Sequence, residues 1–307
     1  MLMSFDRLRR SASDVFGLFA LPMLVAALPW PAGLALLKQV SHRSSTFRVE
    51  ADAAWQVARD HVDGMVDADD WKWRYRLIRW IERADTWLTL TRSTAWWQRH
   101  VDIVGEFPAQ GHGWLLLTFH WGAGNWVWKL LRARGIAAHF LARRPGASDL
   151  GMSRVAIWYG RLRGWAFARI GGLGPLYTGG SVGRIERAWQ RRESVVAMLD
   201  LPVGEARPAC RVDLLGRSAW LPSRLPELAV SRDVPVAILS CGFNIDNGRR
   251  TLRLESVSQA ADVALVLAHY AAHLDARLRG QSEFWMMWHE APSMFADGNA
   301  LRVADTR

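Results

Sequence analysis

The sequence predicts an α/β protein: a mostly parallel central sheet flanked by helices, preceded by a helical, hydrophobic N-terminal region. Three observations carry this reading. Short, continuous apolar runs such as Trp114 to Phe119 (WLLLTF) and Ser194 to Leu199 (SVVAML) have the texture of strands buried on both faces. Stretches with apolar residues at three- and four-residue spacing lie between such runs, so strands alternate with helices. Of 307 residues, 50% are hydrophobic and 22% charged, enough for a full core and too apolar for disorder.

Taken in order, Arg7, Arg9 and Arg10 precede an apolar stretch from Val15 to Leu37 that is long enough to span a bilayer. Pro22, Pro29 and Pro31 interrupt it, and proline breaks a helical ladder. No cleavage site follows, so residues 1–45 are expected to form an uncleaved, kinked anchor lying in or dipping into the membrane. The alternative is a buried hairpin of two short core helices. Residues 46–307 form the remaining domain, with a helical lead-in at 46–106 and an α/β core at 107–292. In the lead-in, Trp55, Ala58, Val62 and Met65, then Trp73, Leu77, Trp80, Ile81 and Ala84, recur at helical spacing. Arg74, Arg76, Arg79 and Arg83 are expected on its solvated or lipid-facing sides. The run WKWRYRLIRW (Trp71 to Trp80) interleaves bases with rings, which suits a membrane surface better than a nucleic acid.

Within the core, strands are expected at Trp114 to Phe119, Ala137 to Ala142, Ser194 to Leu199, Arg211 to Leu215, Val234 to Gly242 and Thr251 to Leu254. Helices are expected at Trp126 to Arg134, Ser148 to Arg163, Leu225 to Ser231 and Ala260 to Arg279.

Composition narrows the function. The net charge of +10 favours anionic partners, but no nucleic-acid-binding motif accompanies it. The 18 tryptophans fit a protein working where an apolar phase meets water. Cys210 and Cys241 are too few for a disulfide scaffold or a zinc site and read as reduced thiols of a cytoplasmic protein. His289-Glu290 lacks the second histidine of a zincin motif, and no P-loop or G-x-G-x-x-G follows a strand. Neither metal nor organic cofactor is expected.

Three segments could carry chemistry. His120, in TFHWGAGNW, directly follows a buried strand, and ligands of α/β sheets bind at strand carboxyl ends. Its imidazole could take a proton near neutral pH, or merely cap the next helix. Gly122 and Gly124 would let a substrate approach. Asp200 ends another apolar strand and could orient an imidazole or cap a turn. Gly179 to Gly183 (GGSVG) matches G-x-S-x-G, which makes Ser181 a candidate hydrolase nucleophile, although a helix N-cap also explains it.

These blocks, in this order, resemble the bacterial lipid A biosynthesis acyltransferases of the lauroyl/myristoyl type, within the lysophospholipid acyltransferase superfamily. TFHWGAGNW resembles that family's strand–histidine–GNW block, Arg161 to Gly164 (RLRG) its R-x-x-x-G neighbourhood, and VVAMLDLPVG its strand ending in Asp. VDLLGRSAWLPSRLPELAVSRDVPV and EFWMMWHEAP resemble its later strand–turn–helix stretch and its closing segment. The likeness covers most of residues 110–292. It departs at one point: the family signature is H-x4-D/E, whereas here Asn125 is the fifth residue after His120, and aligning on GNW puts Val127 in the acid's place.

The resemblance implies a divergent member with a glycerolipid acyltransferase-like fold. It would transfer a fatty acyl chain from a thioester donor, acyl carrier protein or acyl-CoA, to a hydroxyl or amine of a lipid acceptor. His120 would be the general base, with Asp200 completing the dyad in space or Asn125 holding the imidazole by hydrogen bonding. Arg143 and Arg144 would face the developing oxyanion, Arg224 would meet an anionic group of the acceptor, and Gly122, Gly124 and Trp126 would line the site. The implied location is the cytoplasmic face of the bacterial inner membrane, where the basic surface meets anionic lipid. The rivals are an esterase using Ser181 and a lipid-binding homologue of weak or absent activity.

Overall fold

The computed structural model describes residues 12–122, 124–143, 153–171, 173–202, 208–257 and 262–295. A π-helical turn (Phe16–Ala20) leads into α1 (Leu21–Ala27), and the chain breaks at Leu28 and Pro29 before α2 (Trp30–Arg43). Pro31 sits in the first turn of α2, where a missing N–H costs nothing, whereas Pro22 follows directly on the π-helical turn within one continuous helical run. There follow α3 (Arg48–Ala58), α4 (Ala68–Thr91), α5 (Thr94–His100) and the edge strand β1 (Val101–Val104). Asp67 caps α4 by accepting from the amides of Asp69 and Asp70.

No described helix is long and apolar enough to cross a membrane. Leu21, Val25, Trp30, Leu34 and Leu37 are buried, and α1 and α2 lie against α4. The geometry is therefore that of a packed helical hairpin. Arg74 keeps a solvated side in its pair with Asp70, but Arg79 and Arg83 of α4 depart from expectation. Arg83 stacks over the Phe47 ring at 4.3 Å, and Arg79 donates to the sulfur of Met286 at 3.0 Å. Trp71 and Trp80 are buried, so the rings of that run pack the core while their basic neighbours snorkel along it.

The α/β part runs β2 (Leu115–Thr118), α6 (Val127–Ala133), β3 (Ala138–Ala142), α7 (Arg154–Gly171), β4 (Leu176–Tyr177), α8 (Val182–Gln190) and β5 (Ser194–Met198). It continues with β6 (Ala209–Leu214), β7 (Arg217–Pro222), α9 (Arg224–Ser231), β8 (Val236–Phe243), β9 (Arg250–Val257), α10 (Val263–Gln281) and a short α11 (Ala291–Met294). Seven strands form one mixed sheet in the order β1-β9-β8-β2-β5-β3-β4. Only the β8–β9 pair is antiparallel, so the α/β class and the mostly parallel sheet stand as expected. β6 and β7 make a separate hairpin through Leu215 and Gly216, both at positive φ.

The sheet centre is built from β2, whose Leu115, Leu116 and Leu117 are all fully buried between β5 and β8. This is why the run reads as continuously apolar. Alternation on β8 then sorts the two faces. Ser240 points toward α10, where it meets His273, whereas Leu239 and Cys241 point to the opposite side and line a cavity beside His120.

Candidate functional site

The parallel register of β2 and β5 pairs Thr118 with Met198. Two residues beyond each partner stand His120 and Asp200, so the sheet itself sets them side by side. Asp200 Oδ1 lies 3.0 Å from His120 Nδ1, and Oδ2 accepts from the His120 amide at 2.7 Å and from Trp285 Nε1 at 2.8 Å. The carboxylate is sealed from solvent, while the His120 side chain is 31% exposed. With Nδ1 committed to Asp200, the nitrogen left for chemistry is Nε2.

The loop after β2 is clamped. The amide of Met286 donates to His120 O, Gly122 N donates to Phe284 O, and Trp121 bridges Trp285. Beneath β2, the Tyr270 hydroxyl donates to Thr118 O at 2.9 Å and accepts from the Leu199 amide, tying both strand ends to α10. Burial holds the Tyr270 phenol well above its ordinary value. The EFWMMW segment thus acts as a brace that fixes the imidazole and its carboxylate from the far end of the chain.

Burial opposes the imidazolium of His120, but the charge of Asp200, its hydrogen bonds and the more remote Glu82 together outweigh it. The imidazole therefore titrates above its ordinary value. It lines a cavity of about 300 Å³ whose walls include Val127, Trp128, Phe140, Phe167, Val196, Met198 and Leu239. Trp128, Phe140 and Phe167 also line a neighbouring cavity of about 180 Å³ between α7 and the sheet edge. Cys241 is on the wall as well, but burial keeps its thiol protonated well past neutral pH.

Arg163 belongs to both cavities. Its Nη2 donates to Glu82 Oε1 and to Asn125 Oδ1, each at 2.9 Å, and its Nε is buried without a partner. Burial raises the cost of charge on Glu82, yet Arg163, Arg79 and Arg83 hold its carboxyl below the usual range. Burial likewise opposes the Arg163 cation, and Glu82 restores it beyond its ordinary value.

Of the residues singled out in the sequence, His120 and Asp200 come together. Asn125 lines the same cavity but is bound to Arg163 and Thr86, with no hydrogen bond to the imidazole. Gly124 lines the cavity against Cys241. Gly122 has another role, since a Cβ there would sit 2.1 Å from the Cγ2 of buried Ile78. Trp126 is fully buried and stacks on Trp97, so it is a core residue that lines neither cavity. Arg143 lines the neighbouring cavity only, and Arg144 lies outside the described residues. Arg224 is exposed at the start of α9 and lines neither cavity.

Ser181 follows a two-residue edge strand instead of a deep one, and its hydroxyl neither caps α8 nor meets a histidine among the described contacts. The nucleophile elbow is therefore absent from this turn. The residues missed from sequence are Glu82 and Arg163. Arg163 lies inside the RLRG block, but Glu82 is one acid among the many charges of α4 and carries no local signal. Among the described residues, no group of three or more His, Cys, Asp or Glu side chains is placed to hold a metal ion. Compared with known proteins, the chain matches no family model and no curated sequence.

Proposed function

We propose that the chain is an acyltransferase that moves a fatty acyl group from a thioester donor, carried by acyl carrier protein or coenzyme A, to a hydroxyl or amine of a lipid-type acceptor. The observation that carries this reading is an imidazole oriented by a sealed carboxylate at the mouth of an apolar cavity. His120 Nε2 takes the acceptor's proton as its oxygen or nitrogen attacks the thioester carbonyl. Asp200 fixes the tautomer and stabilises the imidazolium. The tetrahedral intermediate then collapses, the C–S bond breaks, and the imidazolium returns the proton to the leaving thiolate. Arg163, with an unpartnered Nε in the cavity wall, supplies positive charge for the oxyanion. The acyl chain occupies the aromatic-walled slot.

Exposed rings and apolar side chains support work at the cytoplasmic face of an anionic bacterial inner membrane. Trp158 and Trp165 on α7 are 68% and 54% exposed, and Phe16, Met23 and Leu24 are exposed on the N-terminal helices. The two elements adjoin through Phe19 and Tyr159, whose rings lie 5.8 Å apart.

The test is transfer from acyl-coenzyme A or acyl-acyl carrier protein to an extract of membrane lipids, read by mass spectrometry of the acylated product. His120→Ala is expected to lose transfer, and Ser181→Ala to keep it. Transfer that survives in His120→Ala contradicts the proposal, and an acyl group trapped on Ser181 would replace it with a hydrolase.

A further inference from the structure

A second pocket, of about 330 Å³, adjoins the His120 cavity, and Trp121 and Cys241 line both. It opens at the same edge of the sheet, because β8 runs parallel to β2 and both end there. Its character is different. The polar side chains on its wall are Ser240, Asn244, Thr251, Arg253, Arg277 and Gln281, and no carboxylate is among them.

Two of these are guanidinium groups from different elements. Antiparallel register puts Arg253 directly opposite Ser240 on the face of the sheet covered by α10. Arg277 stands one helical turn beyond His273, which bonds that same Ser240, so it reaches the same face. The carboxylates nearby are already engaged: Glu255 accepts from His269 and His273, and Asp275 binds Arg279 and the Leu215 amide. Among the described residues neither Arg253 nor Arg277 forms an ion pair, and Arg277 Nε is buried without a partner. Burial and the charge of Arg253 both press against the Arg277 cation, a cost that a bound anion would reverse. The planar fork of arginine matches the oxygens of a phosphate.

Ser240, His273 and Glu255 are linked in the order of a hydrolytic triad, with Ser240 Oγ 2.8 Å from His273 Nε2. Ser240 is 1% exposed in the middle of a strand, so this chain of bonds stiffens the pocket wall and presents no nucleophile.

From this juxtaposition we infer that the pocket is an anion site that receives a phosphate ester, held between Arg253 and Arg277 next to the acyl-transfer cavity. Two sources share that chemistry: the phosphopantetheine arm of the donor and a phosphorylated headgroup of the acceptor. Phosphate binding stands by itself; assigning the phosphate to donor or acceptor rests on the acyl-transfer reading.

The experiment is calorimetric titration of the intact chain with two matched pairs, 4′-phosphopantetheine against pantetheine, and short-chain lysophosphatidate against the corresponding monoacylglycerol. In at least one pair the phosphate is expected to tighten binding about tenfold or more. The double variant Arg253→Gln/Arg277→Gln is expected to lose that advantage and still bind the phosphate-free partner as before. The double lysine variant is expected to keep part of it and guards against a folding defect. The pair that shows the advantage names the source. No advantage in either pair, or one that survives in the glutamine variant, overturns the inference. His120→Ala separates the two readings: it should keep the phosphate preference while losing turnover. Turnover without phosphate preference removes the site alone, and phosphate preference without turnover removes the acyl-transfer reading alone.

Discussion

His120 and His273 are each hydrogen-bonded through Nδ1 to a carboxylate, yet they titrate in opposite directions. His120 pairs with Asp200, which is sealed from solvent and braced by Trp285, and its imidazole is raised. His273 pairs with Glu255, which is half exposed and shared with His269. There burial, aided by the charges of Arg277 and Arg253, outweighs the carboxylate, and the imidazole is lowered. The free nitrogen differs as well. His273 spends Nε2 on Ser240, whereas that of His120 is left to the cavity. A His–carboxylate contact alone therefore does not make a base. The carboxylate must be undivided and sheltered, and the second nitrogen must have somewhere to reach.

The largest effect expected from breaking this contrast is at His120 itself. His120→Ala should lower acyl transfer by about 10²–10⁴-fold with an unchanged far-UV spectrum, since acid–base work of this kind contributes that much. Second comes the carboxylate. Asp200→Asn should cost more than about tenfold in kcat: the amide cannot balance the imidazolium, and its oxygen, drawn to the His120 amide and Trp285 Nε1, turns the NH2 toward Nδ1 and favours the wrong tautomer. It should also remove the contribution that lifts His120 and leave burial in charge. Proton NMR should then show the His120 imidazole titrating below its ordinary value, as His273 already does. A loss below tenfold would reduce Asp200 to a cap.

Smaller still is the effect expected at the neighbouring ion pair. Arg163→Met should lower transfer by about tenfold, less than the roughly 10²–10³-fold lost with a preorganised oxyanion-hole donor, because Arg163 supplies charge from the cavity wall. It should also lift the Glu82 carboxyl by removing its main partner. An unchanged rate would leave the pair a purely structural tie. The mildest change is Gly122→Ala. Overpacking against Ile78 is expected to cost about 1–3 kcal/mol of stability, measured by denaturant unfolding, and to loosen the clamp on His120.

The elements that build the dyad were legible because each is a short apolar run ending in one polar residue. WLLLTF before His120 and SVVAML before Asp200 are β2 and β5, and their adjacency follows from both being buried on two faces. The edges were not legible. β1 is four residues with one buried, appended to a helix, and β7, with one of its six residues exposed, pairs with β6 outside the main sheet. Glu82 and Arg163 lie 81 residues apart, and nothing local marks either as a partner of the other. Trp126 and Ser181 show the opposite failure. Each has the right residue type within two residues of a glycine, but the first turns into the core and the second follows an edge strand too short to support an elbow.

The dependence of kcat/KM on pH, taken with an acyl thioester donor for the wild type and Asp200→Asn, tests the central claim most directly. A base must be neutral to accept a proton, so activity should rise as pH climbs through the raised titration of His120, with its limb above about 6.5. In Asp200→Asn the limb should move to lower pH while the plateau falls. A rate independent of pH across that range, or a limb in the same place in both proteins, would contradict the account.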